Sequence, residues 1–331
     1  AQTAAKLTPV ITSIPTTLHE NLGKEVITTL SSETGLPLSS YRAVLQDEQG
    51  NLWMYTNNEL VKYDGNSFYT YKLPVKEFFI LFIFIDKQNN IWVAGQVTGF
   101  ATSGMSQFNI YYFDGYSFYP VPGLQMKFPS NRFLNVGINQ GPDKRIWIVN
   151  PDKNTILVYD GLQLVKSIDI KANSFKSNYY ISFQDNNTIW ITDTRDTSLT
   201  KYDGAQFIKY TTKDGLPEAY FGSTIPLKDD SLYINTDKGL YLYQNKKSIK
   251  IIDSTTSAGL LASGLLADRQ NGIWARQTNG KIVKHNSAGN IFFGKEDGID
   301  GAIGFNNDNQ DNIWTGTRNK LAQFYRPIVN F

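Results

Sequence analysis

Apolar and polar positions in this chain alternate in short runs, not at helical spacing. Leu52-Trp53-Met54-Tyr55-Thr56 is preceded by the polar stretch Asp47-Glu48-Gln49-Gly50-Asn51 and followed by Asn57-Asn58. Runs of roughly four to eight residues bounded by Asp, Gly and Asn read as strands joined by tight turns. The longest apolar run, Phe78 to Ile85, has the length of a buried strand and is too short to cross a bilayer.

The pattern repeats. Asp47 to Trp53 is echoed by Asp86-Lys-Gln-Asn-Asn-Ile-Trp92, Asp268-Arg-Gln-Asn-Gly-Ile-Trp274 and Asp308-Asn-Gln-Asp-Asn-Ile-Trp314. Shorter copies are Arg145-Ile-Trp147 and Thr188-Ile-Trp190. Downstream of four of these tryptophans stand Tyr63-Asp64-Gly65, Phe113-Asp114-Gly115, Tyr159-Asp160-Gly161 and Tyr202-Asp203-Gly204, the chemistry of a tight hairpin. Between Trp190 and Trp274, Ser231-Leu-Tyr233 occupies the same place with Tyr for Trp. The spacings from Trp53 through Tyr233 to Trp314 are then 39, 55, 43, 43, 41 and 40 residues. Seven units with a period of about 40–45 residues, four short strands each, predict an all-β chain folded as a single seven-bladed β-propeller.

After Trp314 there is room for only one more strand, Leu321 to Tyr325, so the last unit lacks its fourth. Val26-Ile-Thr-Thr-Leu-Ser-Ser-Glu-Thr-Gly-Leu-Pro37 matches the end of the fourth unit, Phe207 to Pro217. An N-terminal strand around Glu25 to Leu30 is therefore expected to complete the last blade beside the C-terminal strand. Such closure removes both sheet edges. The predicted layout is an N-terminal tail (1–24), the propeller (25–326) and a C-terminal tail (327–331). Because the tryptophans and Tyr233 share one repeat position, they are expected to pack between blades and not to form a binding surface.

Gly35-Leu36-Pro37, then Asp-x-x-Gly-Asn-Leu-Trp53, then Tyr63-Asp64-Gly65 and Phe68, resembles the two-component regulator propeller repeat. Such repeats are typical of the periplasmic sensor regions of Bacteroidetes histidine kinases and hybrid two-component systems. The resemblance implies a non-catalytic ligand-sensing or interaction domain of a receptor, responsive to carbohydrate and followed by downstream signalling domains. Gly-Leu-Pro is intact only at 35–37 and 215–217, and the last three units lack Tyr-Asp-Gly. A stand-alone secreted scaffold for protein interaction is the alternative. Asn271 to Lys284 also looks like the repeat of streptogramin lyases, which are seven-bladed propellers.

A lyase of that type needs a His base and a divalent metal near the channel mouth. The chain has two His residues: His19 in the N-terminal tail and His285 at a Tyr position of the repeat, expected on the opposite face. No nucleophile elbow or zinc-ligand spacing is present, so no catalytic residue, metal or cofactor is assigned. Asn306 to Asn312 carries oxygen ligands but lacks the spacing and terminal Glu of a calcium loop. A net charge of +2 gives no nucleic-acid footprint, and the absence of Cys excludes disulfides and thiolate metal sites. The Ala-Gln-Thr start looks like a mature end left by signal-peptide cleavage, which places the protein in the periplasm or outside the cell.

In a propeller the d–a and b–c loops converge on one face around the channel, and a small-molecule or oligosaccharide ligand is expected there. The loop candidates are Arg132, Phe133, Tyr179, Arg195, Asp196, Tyr220, Arg276 and Arg318. Arginines from different blades suit an anionic or sugar ligand. An insertion between Gln96 and Asn109 in the second unit reads as a lid or partner contact.

Overall fold

The computed structural model describes residues 5–6, 10–13, 20–22, 26–31, 36, 41–75, 78–86, 88–97, 105–129, 137–150, 152–170, 179–253, 264–277, 280–299, 301–302, 304–317 and 320–325. These residues form seven antiparallel sheets, each built on a meander of four strands, a to d. Blade one comprises Arg42–Gln46, Leu52–Tyr55, Glu59–Tyr63 and Ser67–Lys72. Blade two comprises Phe78–Ile85, Ile91–Val97, Met105–Phe113 and Ser117–Pro120. Blade three runs from Ile138–Gln140 through Ile146–Asn150 and Thr155–Asp160 to Gln163–Asp169. Blade four runs from Tyr179–Phe183 through Ile189–Asp193 and Leu199–Tyr202 to Phe207–Tyr210. Blade five has Phe221–Pro226, Leu232–Thr236, Gly239–Gln244 and Lys247–Asp253. Blade six has Leu265–Ala267, Ile273–Arg276, Ile282–Asn286 and Gly289–Phe293.

Blade seven closes the ring as the sequence predicts. Its strands a to c are Gly304–Asn307, Ile313–Gly316 and Lys320–Tyr325. Its strand d is Val26–Ser31, paired from Lys320↔Ser31 to Tyr325↔Val26. The residues before 25, read from sequence as a tail, contribute three further strands. Ala5–Lys6 pairs strand d of blade two, Val10–Ser13 pairs strand d of blade one, and Glu20–Leu22 pairs Val26–Thr28. The outer edges of blades two, one and seven are thus each covered by the chain's own start. On blades three, four and five the outer strand carries Lys166, Lys209, Lys247 and Lys250, and lysine discourages edge-to-edge pairing.

Seven buried apolar clusters hold the blades together, one at each interface. Trp53 packs against blade two with Phe113, Trp92 against blade three with Ile148, and Trp147 against blade four with Ile181. Trp190 meets Phe221, Trp274 meets Phe324, and Trp314 meets Tyr41 and Met54 of blade one. Tyr233 takes the same part between blades five and six. All six tryptophans are buried. An aromatic side chain buries roughly 200 Å², so at about 25 cal/mol/Å² each contributes about 5 kcal/mol before entropy. The repeat position is therefore a packing position.

The turn aspartate holds the tryptophan in place. Asp47 Oδ1 accepts the backbone N–H groups of Gln49 and Asn51, and its Oδ2 accepts Trp53 Nε1–H at 2.8 Å. Asp86, Asp268 and Asp308 repeat the arrangement with Trp92, Trp274 and Trp314 at 2.9, 3.0 and 2.9 Å. In blade four Gln184 substitutes, accepting from Trp190 at 2.9 Å. Asp308 spends its oxygens this way and Asp311 accepts from Arg269 N–H, which gives the Asn306–Asn312 stretch a structural purpose.

Candidate functional site

Each strand a is the innermost of its blade and begins at the face carrying the d–a and b–c loops, here the entrance face. Register aligns six of the seven copies; in blade five a register shift between Phe221 and Thr224 falls at this level. The residue opposite the second position after each repeat aromatic is Arg42 (opposite Tyr55), Phe82 (Ala94), Tyr180 (Thr192) and Gly304 (Gly316). Gly137 and Gly264 precede Ile138 and Leu265, which pair Ile148 and Ala275, and so stand at the same level.

A cavity of about 340 Å³ opens here, lined by strands a of blades two to six. Its wall includes Phe82, Asn139, Tyr180, Ser182, Ser223 and Thr224, with Gly137 and Gly264 leaving room between them. Its size lies at the lower end of small-molecule pockets. Among the described residues, none that lines it is charged.

The polar wall also stitches blades together. Asn139 Nδ2 donates to Ile181 carbonyl at 3.1 Å, Ser182 Oγ and Thr224 Oγ1 lie 2.6 Å apart, and Leu265 N–H donates to Ser223 Oγ at 3.1 Å. These bonds link blades three to four, four to five and five to six. They fix the side chains that a ligand would meet, so the wall is preorganised.

The loop candidates divide. Tyr179 is buried and lines the cavity beside Tyr180. Arg276 ends strand b of blade six at the cavity level, and its Nε donates to Ala302 carbonyl of the blade six–seven connection. Burial pushes its guanidinium pKa down, with Tyr180 acting in the opposite direction. Asp196 is an ion-pair residue, with Lys209 Nζ at 3.2 Å. Arg195 is exposed in the blade-four hairpin, and Tyr220 is 48% exposed with its N–H bonded to Asp237. None of Arg195, Asp196, Tyr220 and Arg276 lines the cavity. Arg132, Phe133 and Arg318 lie outside the described residues, as does His19.

The blade-two insertion builds a wall. Strands b and c there run to 7 and 9 residues, and Met126–Pro129 pairs Met105–Phe108 to extend the sheet. Buried Phe108, Ile110, Leu124 and Met126 join this extension to the apolar cluster between blades two and three. It accounts for the 55-residue spacing between Trp92 and Trp147. Residues 98–104, the tip, lie outside the described residues.

No family model matches the chain, and no curated protein matches it in sequence. Solved structures do match. Virginiamycin B lyase from Staphylococcus aureus is similar at 14% identity, with a TM-score of 0.66, 91% of this chain and 99% of that one covered. The extracellular domain of a putative hybrid two-component system from B. thetaiotaomicron is similar at 18% identity and a TM-score of 0.66, with 91% of this chain and 42% of that one covered. YCF48 bound to a D1 peptide is similar at 10% identity and a TM-score of 0.61, with 95% and 99% covered. At these identities the likeness establishes the propeller fold, shared by an enzyme, a receptor domain and a peptide-binding protein.

Proposed function

We propose that this chain is a non-catalytic ligand-sensing or interaction domain of a signalling receptor, displayed in the periplasm or outside the cell. The observation that carries the reading is the cavity on the entrance face. Hydroxyls, an amide, two tyrosines and the Phe82 ring are the groups that recognise a polyhydroxylated ligand, so a carbohydrate fits best. The structural likeness to a two-component extracellular domain supports the receptor setting.

Thermal shift against a saccharide panel tests the site, because a ligand selective for the folded state raises its melting point. A saccharide should raise the Tm of the wild type and leave Tyr180→Ala unmoved. No response from any saccharide, or a response that survives Tyr180→Ala and Ser182→Leu together, would overturn it. A coding sequence that continues into a membrane helix and kinase supports the receptor setting, and one that stops at Phe331 favours a stand-alone scaffold. The raised blade-two wall is the surface a scaffold would use, and the peptide-bound neighbour gives that second reading its support.

A lyase reading finds less support. His285 lies near the end of strand c in blade six, on the face opposite the entrance, where its Nδ1 pairs with Asn290 Oδ1 at 2.8 Å. It stands far from the mouth at which a lyase base is required.

A further inference from the structure

The two sides of the cavity differ in chemistry. In a ring of seven, blades five and six stand across the channel from blade two. Blade two presents Phe82, whereas blade five presents Ser223 and Thr224, with Ser182 of blade four beside them. One side is thus an aromatic ring and the other a row of hydroxyls. At the height of Phe82 blades three and six carry Gly137 and Gly264, and neither puts a side chain beside that ring.

Phe82 is held in place. Its ring packs on Phe108 of the raised blade-two sheet, with centroids 6.1 Å apart, and both belong to the apolar layer between blades two and three. The extension therefore fixes one wall of the cavity. The hydroxyls are held too, yet keep bonding capacity. Ser223 Oγ accepts from Leu265 N–H, which leaves its own O–H to donate. Ser182 and Thr224 share one bond at 2.6 Å, and whichever of them donates, the other keeps its O–H.

The electron-rich face of an aromatic ring attracts the C–H-lined face of a sugar. A pyranose stacked by that face on Phe82 turns its other face across the cavity. Equatorial hydroxyls lie along the edge of the sugar ring and do not reach that way. An axial hydroxyl on the far face points at the opposite wall, where it can donate and accept at once. A wall with hydroxyl partners fixed there discriminates by a bond that the equatorial epimer cannot form.

We propose that the cavity selects a pyranose with one axial ring hydroxyl, its C–H face on Phe82 and that hydroxyl on Ser223 and the Ser182–Thr224 pair. This assignment rests on the cavity being a saccharide site, and it narrows the class from saccharides at large to axial epimers.

Isothermal titration with three methyl β-D-glycosides tests it: the glucoside, whose ring substituents are all equatorial, and the galactoside and mannoside, each the glucoside with one hydroxyl turned axial. The wild type should bind the galactoside or the mannoside about tenfold more tightly than the glucoside, the worth of one hydrogen bond. Phe82→Leu, which keeps an apolar side chain against Phe108, should weaken all three alike. Ser223→Ala combined with Thr224→Val should bring the favoured epimer down to the level of the glucoside. The readout is a ratio of affinities on one folded protein, so a modest loss of stability does not enter it, and cooperative melting of each variant verifies the fold. Equal affinities, a preference for the glucoside, a preference that survives Ser223→Ala with Thr224→Val, or affinities that Phe82→Leu leaves unmoved overturn the axial assignment while the cavity stands as a saccharide site. If none of the three binds, the axial assignment falls, and the response to the wider saccharide panel decides the cavity separately.

Discussion

Trp147 Nε1 is buried without a hydrogen-bond partner because Gly141 occupies the turn position that bears aspartate in blades one, two, six and seven. The indole still packs in the interface with blade four. It lacks only the acceptor six residues before it. A Cβ on Gly141 would lie 3.3 Å from that Nε1, 3.1 Å from the Phe183 ring and 2.8 Å from Asp143 Oδ1, a flexible carboxylate end. Gly141→Asp should therefore be more stable than Gly141→Ala by about 1–2 kcal/mol, the worth of a charge-assisted bond to a buried donor. Urea unfolding of the two variants measures the difference, and equal stabilities would show that the bond does not form.

Blade six shows what the aspartate contributes. Burial alone would raise the Asp268 carboxyl, but N–H donation from Trp274, Gly272 and Gln270 together with the Lys284 ammonium hold it below the ordinary range. Lys284 Nζ lies 3.5 Å from Asp268 Oδ2 and 4.8 Å from the Trp274 ring centroid. A depressed carboxylate stabilises the fold above its unfolded pKa of about 4, and that contribution is lost as pH falls through the folded value. Asp268→Asn should cost about 1–3 kcal/mol at pH 7, and the cost should shrink as pH falls below about 4 toward 3. Chemical denaturation at the two pH values checks the sign, and a penalty independent of pH would show that the charge is irrelevant.

Thr29 sits in the strand that closes the ring, opposite Ala322. Proline in the middle of a paired strand loses a ladder bond and costs about 3 kcal/mol or more. Thr29→Pro should lower the Tm of the whole domain in one cooperative step, and deletion of residues 1–31 should do so more severely. A truncated chain that melts like the wild type would mean the ring holds without its closure.

Ser182 and Thr224 couple blades four and five in the cavity wall. A double-mutant cycle of Ser182→Ala and Thr224→Val should return a coupling of about 1 kcal/mol in stability. Additive losses would show that the two hydroxyls do not bond.

Much of this was legible in the chain. Blade count, strand order, the closing strand and the packing role of Trp53 through Trp314 follow from a repeat that includes Tyr233. Trp–Asp pairing was half legible: the six-residue spacing is in the sequence, but only coordinates show one carboxylate serving both its turn and an indole. The site was less legible. Of the loop candidates, Tyr179 stands on the cavity wall, whereas Arg195, Asp196, Tyr220 and Arg276 are not among the residues that line it. The pairing of residues 5–6, 10–13 and 20–22 escaped notice, since so short a strand has no periodicity to read.

By itself the sequence determined the repeating layer, because the same residues meet the same neighbours in every blade and local alternation encodes that contact. The tertiary structure alone decided what differs between blades at one height around the channel: an arginine on blade one, a phenylalanine on blade two, a tyrosine on blade four, and glycines on blades three, six and seven. Those residues are some forty positions apart in the chain, and only closure of the ring brings them to one height around the channel, where Phe82, Gly137, Tyr180 and Gly264 line one cavity.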